Sequence, residues 1–354
     1  MDDDVYRKLA KHLDRLPGGF PATESGVEIR ILKRLFMPWE AETALALAMK
    51  PEPVSAIAQR LGADESELGQ LLETMSKKGL ILRSAKSGQN FYMAAQFVVG
   101  IWEYHVNDLD EGLIQDFNEY SPFLMKTWVK QKTKQMRIVP ISASISAEMS
   151  VTPYEEAEKI IRQQSRIVVA PCICRKEQGM IGKGCGKLEE ACLIFGGGAY
   201  FYEENGLGRP ISQEEALDIL NKGMEAGLVV QPGNAQKPLN ICLCCGCCCQ
   251  ILKNLNTLDS PAKAVCSNYY AVVNEDNCTA CGTCEERCQM NAITVDETAA
   301  HVNLERCIGC GLCVPTCDFD AMHIAEKEPS ERYVPPTNIM ETYKRIAQER
   351  MQMK

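Results

Sequence analysis

Apolar residues three and four positions apart open the pattern. Pro53, Val54, Ile57, Ala58 and Leu61 run into Gly62, and Leu68, Leu71, Leu72 and Met75 repeat that spacing between Asp64 and Gly79, which predicts two helices. Leu80, Ile81 and Leu82, a polar tip of Lys86, Ser87 and Gly88, and Phe91, Tyr92 and Met93 predict a two-stranded hairpin. Residues 105–165 read as helical. The apolar run from Arg166 to Ala170, closed by Pro171, predicts a short buried strand. Ser212 with Glu215 makes a capping box before Ala216, Leu217, Ile219, Leu220 and Met224; Gly227 closes that helix and Leu228, Val229 and Val230 form another strand. Gly196, Gly197 and Gly198 lack the Lys-Ser/Thr of a phosphate loop and read as a turn. Beyond Glu328 a proline-rich link (Pro329, Pro335, Pro336) leads to an amphipathic helix with Ile339, Met340, Tyr343 and Ile346, expected to dock on the body or on a partner.

Helix, turn, helix and wing in that order resembles a winged-helix domain, as in transcription regulators of the arsenic-repressor type. The resemblance implies DNA binding; dimerisation or docking is the plainer use of the same module. Charge disfavours DNA. Across residues 51–95, Arg60, Lys77, Lys78, Arg83 and Lys86 are balanced by Glu52, Asp64, Glu65, Glu67 and Glu73, and three of those acids open the helix that would face phosphates. Lys126, Lys130, Lys132, Lys134 and Arg137, with Trp128 among them, form an acid-free basic stretch from Tyr120 to Ala147. A solvated helix face explains it, with a docking patch for an acidic partner, or for the protein's own acidic domain, as the second reading.

The 354 residues carry 38 basic and 47 acidic side chains, a formal net charge of −9, and 45% are hydrophobic. That length suits two or three domains, and the composition is that of a globular protein. No uncharged stretch reaches the roughly 18 residues that cross a bilayer. The opening MDDDVYRKL is acidic, unlike a signal peptide. The expectation is a cytoplasmic protein without a membrane span.

All 19 cysteines lie between Cys172 and Cys317. An odd, dense set of thiols in a reducing compartment points to metal rather than disulfides. Cys278, Cys281, Cys284 and Cys288 follow C-x2-C-x2-C-x3-C, and Cys307, Cys310, Cys313 and Cys317 repeat it 29 residues later. Gly282 matches Gly311, Ala292 matches Ala321, and Ile293 and Val295 match Met322 and Ile324. Short gaps let three thiolates converge on one cubane, whose fourth iron must be reached from elsewhere, and glycine lets the backbone approach its sulfides. Residues 265–328 resemble the bacterial two-[4Fe–4S] ferredoxins. The resemblance implies crossed ligation: one cluster on Cys278, Cys281, Cys284 and Cys317, the other on Cys307, Cys310, Cys313 and Cys288. Gln289 and Asp318 stand where that family usually has proline, and Asp318 and Asp320 should lower the potential. Residues 274–328 hold eleven acids against Arg287, Arg306 and Lys327. Such a surface steers association with a basic partner and repels nucleic acid.

The other eleven cysteines are Cys172, Cys174, Cys185, Cys192, the run Cys242, Cys244, Cys245, Cys247, Cys248 and Cys249, and Cys266. If the run is extended, Cys242, Cys244 and Cys248 point one way and Cys245, Cys247 and Cys249 the other. Each set then needs a partner from Cys172, Cys174, Cys185, Cys192 or Cys266, which suits two more metal centres or one large one. Iron–sulfur is favoured over zinc because the chain already carries cubane motifs and all the ligands are sulfur. Arg175, Lys183 and Lys187 are placed to offset thiolate charge. His12, His105, His301 and His323 fall outside these runs, and none is assigned as a ligand. Over residues 165–328 the arrangement looks like the multi-cluster iron–sulfur proteins of anaerobes, which implies a redox role and names no substrate.

The resulting expectation is a multidomain α+β protein. A winged-helix-like region (1–105) and a helical connector (106–165) precede a cysteine-rich α/β domain (166–264). A two-[4Fe–4S] ferredoxin domain (265–328) and a linker with a terminal helix (329–354) complete it. Its expected work is to relay single electrons through two cubanes and at least one further metal centre to or from a partner oxidoreductase, with a homodimer or larger complex possible. The alternatives are a reductase binding its substrate at an open middle-domain cluster, or a redox-sensing DNA-binding regulator.

Overall fold

The computed structural model describes residues 2–146, 149 and 151–352. The chain divides into two compact units. It mixes helix and sheet, as a multidomain α+β protein does. No helix among the described residues is long and apolar enough to cross a membrane.

The first unit comprises Met1–Gln131, Gly197–Arg209 and Ile346–Lys354. Helices Val54–Leu61 and Glu65–Lys77 form where the apolar spacing places them. Gly62, at φ 64°, takes the left-handed conformation that ends the first helix. The Asp64 carboxylate caps the second by accepting the Glu67 N–H at 2.9 Å. Strands Glu52–Pro53 (β1), Ile81–Lys86 (β2) and Gln89–Ala94 (β3) make an antiparallel sheet in the order β1-β3-β2. Ser87 and Gly88 both have positive φ, the geometry of a tight two-residue hairpin. Strand β1, only two residues long, leaves no periodicity in the sequence. Arg83, almost fully buried, is ion-paired with Glu73, and the Tyr92 hydroxyl donates to the same carboxylate. An aromatic core holds the rest, with Trp102 stacked on Phe117 at 3.7 Å. His105 is buried among these residues, and its desolvation lowers its pKa, which keeps the ring neutral.

The second unit comprises Lys132–Gly196 and Pro210–Arg345. Its main sheet has the order β6-β4-β5-β8-β7, from Ile167–Pro171 (β4), Glu190–Phe195 (β5), Arg209–Ile211 (β6), Val229–Pro232 (β7) and Asn240–Cys244 (β8). The pairs β4·β5, β5·β8 and β7·β8 are antiparallel. Helix Gln213–Glu225, capped by Ser212, packs so that Gly223 lies against Leu243 of β8. Two small antiparallel ladders follow: Tyr269–Val273 (β9) with Met322–Glu326 (β12), and Ile293–Val295 (β10) with Ala300–Val302 (β11).

Two expectations need correction. Within residues 105–165 the described helices are Glu111–Lys130 and Ala157–Arg162, and between them the described residues are irregular apart from short 3₁₀ turns and one isolated bridge from Met136 to Gly233. Pro140, Pro153 and the β-branched Ile138, Val139 and Ile141 resist a helix there. Backbone bonds to other segments replace it: Ile138 N–H to the Cys266 carbonyl at 2.9 Å and Ile141 N–H to Cys310 at 3.1 Å. The basic stretch therefore does not share one helix face; Arg137 is buried and donates to the Tyr154 and Ala235 carbonyls, and Ala147 lies outside the described residues. The three glycines at 196–198, read as a turn, instead open helix Gly196–Glu204.

Candidate metal centres

The two ladders carry the doubled cysteine motif with approximate two-fold symmetry, and the 29-residue offset extends into the backbone. Gly282 and Gly311 have φ of 81° and 74°, and Asn291 and Asp320 have φ of 50° and 51°. Four backbone N–H groups donate to cysteine sulfur at 3.2–3.3 Å: Ala292 to Cys288, Ala321 to Cys317, Ala300 to Cys278 and Ala271 to Cys307. The last two donors also stand 29 residues apart, and each serves the cysteine of the opposite repeat. Cys278, Cys281, Cys284 and Cys317 line one cavity with Phe319 at its edge. Burial, followed by the charges of Cys288 and Cys307, pushes Cys310 up to about 12, and burial with the charges of Cys310, Cys307 and Cys288 raises Cys313. Cys288 thus belongs beside the second repeat and Cys317 beside the first. Three sulfurs from one loop and a fourth from the other repeat, spaced around a cavity and met by N–H donors, fit a [4Fe–4S] cluster.

The middle cysteines divide into two groups, though not along the faces of an extended run. Strand β8 ends at Cys244, and Cys245–Cys249 turn about Gly246. Cys242 and Cys244 share a side as expected, but they are joined by Cys249 and not by Cys248. Sulfur-to-sulfur hydrogen bonds link Cys172 to Cys174, Cys174 to Cys249, Cys249 to Cys244, Cys244 to Cys242 and Cys242 to Cys192. Within this chain of six, Cys242 and Cys249 are held below the ordinary thiol range by the S–H groups they accept, and Cys174 and Cys244, the donors, are raised. The second group is Cys185, Cys245, Cys247 and Cys248, whose sulfurs all lie within 4.8 Å of one another. Cys266 joins neither group. It is buried near Lys134, Lys327 and Arg137, and burial raises its thiol.

Arg175 serves both groups. Its Nη1 donates to the Leu243 carbonyl at 3.0 Å and lies 3.8 Å from Cys245 Sγ. Burial opposes its charge, but the neighbouring Cys172, Cys244 and Cys245 outweigh that cost and raise its pKa. Of the flanking lysines, Lys187 contributes its backbone N–H to Cys185. On the same helix as Arg175, Glu177 is wholly buried. Gln250 and Gln178 donate to its Oε1, its Oε2 has no hydrogen-bond partner, and burial raises its pKa to about 7. Gln289, the residue in place of the usual proline, accepts the Gly246 N–H at 2.8 Å through Oε1, and its backbone carbonyl accepts from Asn256 Nδ2 at 2.9 Å. A Cβ on Gly246 would run into that carbonyl. The turn bearing Cys245, Cys247 and Cys248 is therefore seated directly on the residue after Cys288.

The profile of the 4Fe-4S dicluster domain matches residues 277–321. This segment is an iron–sulfur, ferredoxin-like domain. No curated protein and no solved structure matches the chain. Four participants were not assigned a role from the sequence. The donors Ala271 and Ala300 were within reach of the 29-residue offset, Gln289 stood out only as a departure from proline, and Glu177 left no signal.

Proposed function

We propose that this protein relays single electrons through two ferredoxin-type cubanes and at least one further metal centre, to or from a partner oxidoreductase in a reducing compartment. The crossed placement of Cys317 and Cys288 carries the reading: each repeat reaches its fourth sulfur only through the other, as an adjacent pair of clusters requires. Cys278, Cys281, Cys284 and Cys317 would hold one cluster, and Cys307, Cys310, Cys313 and Cys288 the other. When bound, a [4Fe–4S] cluster takes up and returns one electron. The four N–H donors favour added negative charge at the sulfurs. Cys281 and Phe319 are exposed beside the first cavity, which makes that end the natural contact for a partner. The Gln289–Gly246 hydrogen bond joins the residue after Cys288, a sulfur proposed for the second cluster, to the middle thiols, which makes that cluster the inward one.

The helix, turn, helix and hairpin of residues 54–94 we assign to docking or dimerisation. Asp64 caps its second helix, Glu73 pairs with Arg83 and Glu52 with Arg60, and that helix opens on the exposed Glu65 and Glu67. The test of the whole reading is anaerobic purification with iron and sulfide counting and EPR of the reduced protein. At least about eight irons with matching acid-labile sulfide, and signals of two interacting clusters, are expected; colourless, sulfide-free protein overturns it.

One observation favours a second reading, in which the six-thiol group holds a centre that reduces a small molecule. The buried Glu177 carboxyl near Cys249 is a fitting local proton source. Anaerobic binding of a small ligand that shifts the spectrum of the middle centre alone would favour it over simple relay.

A further inference from the structure

The group of Cys185, Cys245, Cys247 and Cys248 has dimensions of its own. Cys185 and Cys245 are 3.9 Å apart and Cys247 and Cys248 3.8 Å apart, with all four sulfurs within 4.8 Å. Four thiolates bonded tetrahedrally to one ion at about 2.3 Å stand about 3.8 Å from one another. A cubane interposes four irons and four sulfides, so its cysteine sulfurs must stand well outside that distance. The ferredoxin-like segment shows the contrast, since Cys278, Cys281, Cys284 and Cys317 line a cavity instead of meeting. Among the described residues, the middle quartet is the group that converges closely enough for a single ion.

Charge supports the same conclusion. Four thiolates around a divalent ion leave a net of −2, and the buried Arg175 guanidinium lies against Cys245 with its Nε and Nη2 free of hydrogen-bond partners. Cys247 is exposed, so an ion there can be loaded and stripped from solvent. We propose that Cys185, Cys245, Cys247 and Cys248 hold one tetrahedral metal ion, zinc or iron, with no inorganic sulfide. The inference deepens the reading above by naming one of its middle centres, and rests on that reading only in taking these thiols as ligands. Sulfur-only tetrahedral coordination suits both metals. The ion would fix the turn that carries Arg175's contact and abuts Gln289.

The test compares full-length protein, purified without oxygen, with the doubly substituted Cys185→Ser/Cys248→Ser variant, counting zinc, iron and acid-labile sulfide per chain. The variant should lose one metal ion and no sulfide. Loss of about four irons with four sulfides overturns the proposal, because that is a cubane's content; unchanged metal overturns it too. Should the variant not fold, the wild-type protein decides. Zinc-edge absorption with four sulfurs at about 2.3 Å and no metal neighbour, or a Mössbauer signature of an isolated FeS₄ ion, supports it, and the absence of both overturns it. Wild-type protein that holds the ion but no sulfide at all would defeat the electron-relay reading while leaving this site standing.

Discussion

At the scale of single residues, Glu177 is the most informative side chain. Burial lifts its carboxyl from an ordinary 4.5 to about 7. The folded chain therefore holds a proton that the unfolded chain has released between those values. Folding stability should fall as pH rises from about 4.5 to about 7 and level off above, by about 3 kcal/mol from this group alone. Glu177→Gln keeps the hydrogen bond from Gln250 and removes the charge. It should leave stability unchanged at pH 5 and raise it at pH 8, read as anaerobic denaturant midpoints. Difference infrared spectra between pH 6 and pH 8 should show a carboxylic acid carbonyl band in the wild type that the variant lacks. A variant with the same pH slope as the wild type would show that Glu177 is ionised throughout. Arg175 gives the complementary case. Arg175→Met removes the buried cation that faces Cys172, Cys244 and Cys245, so both thiol groups should retain metal less well, whereas Arg175→Lys restores charge without the donor fork that reaches Leu243 and Cys245 together. Metal content after dialysis against a chelator should rank wild type above Lys, and Lys above Met.

At the scale of elements, the turn Cys245–Cys249 shows what a sequence reveals and what it withholds. The doubled ferredoxin motif was legible because its ligands are close in sequence and repeat at a fixed offset, and the same offset locates Ala271 and Ala300. The helices ending at Gly62 and Gly79 were legible because caps and apolar spacing act locally. The division of the cysteine run was not, since it depends on the turn that follows strand β8, and that turn is held by Gln289, 43 residues away, which receives the Gly246 N–H. A strict strand alternation sent Cys248 to the wrong group and Cys249 to the other. The irregular course around Ile138, Val139 and Ile141 was obscured for a similar reason, since their backbone partners are the distant Cys266, Val230 and Cys310. Gly246→Ala tests the seating of the turn. Its Cβ meets a backbone carbonyl that cannot rotate away, so the substitution should cost about 1–3 kcal/mol. Gln289→Ala, which loses one hydrogen bond without a clash, should cost about 1 kcal/mol. Both should weaken the magnetic interaction between the second ferredoxin-type cluster and any paramagnetic middle centre, read by EPR, while leaving the first cluster's signal alone.

At the scale of the whole molecule, charge is distributed very unevenly. The chain's net charge is −9, and residues 274–328 alone contribute −8 from eleven acids and three bases. Two of those bases are anchored on neutral acceptors, Arg287 on the Met224 carbonyl and Arg306 on the carbonyls of Met290, Leu258 and Asn256, so they act as internal struts while keeping their charge. Asp318 and Asp320 are both exposed, close in sequence to the exposed Phe319 and to Cys317. If electrons pass at this end, as proposed, a partner must bring its own redox centre there, and so acidic a surface would favour a basic one. The second-order rate of electron exchange with a basic partner should fall about tenfold when ionic strength rises from about 0.05 M to about 0.5 M, since the screening length shrinks across the same range. Asp318→Asn together with Asp320→Asn should lower the rate at low salt, flatten its salt dependence and raise the potential of the nearer cluster, because each removes a negative charge that opposes an incoming electron. The charge-neutral helix, turn, helix and hairpin of residues 51–95 offers no such field, and salt should leave its association with other molecules nearly untouched. A rate indifferent to both salt and these two substitutions would place the point of electron exchange elsewhere on the molecule, with the middle thiols as the next surface to probe.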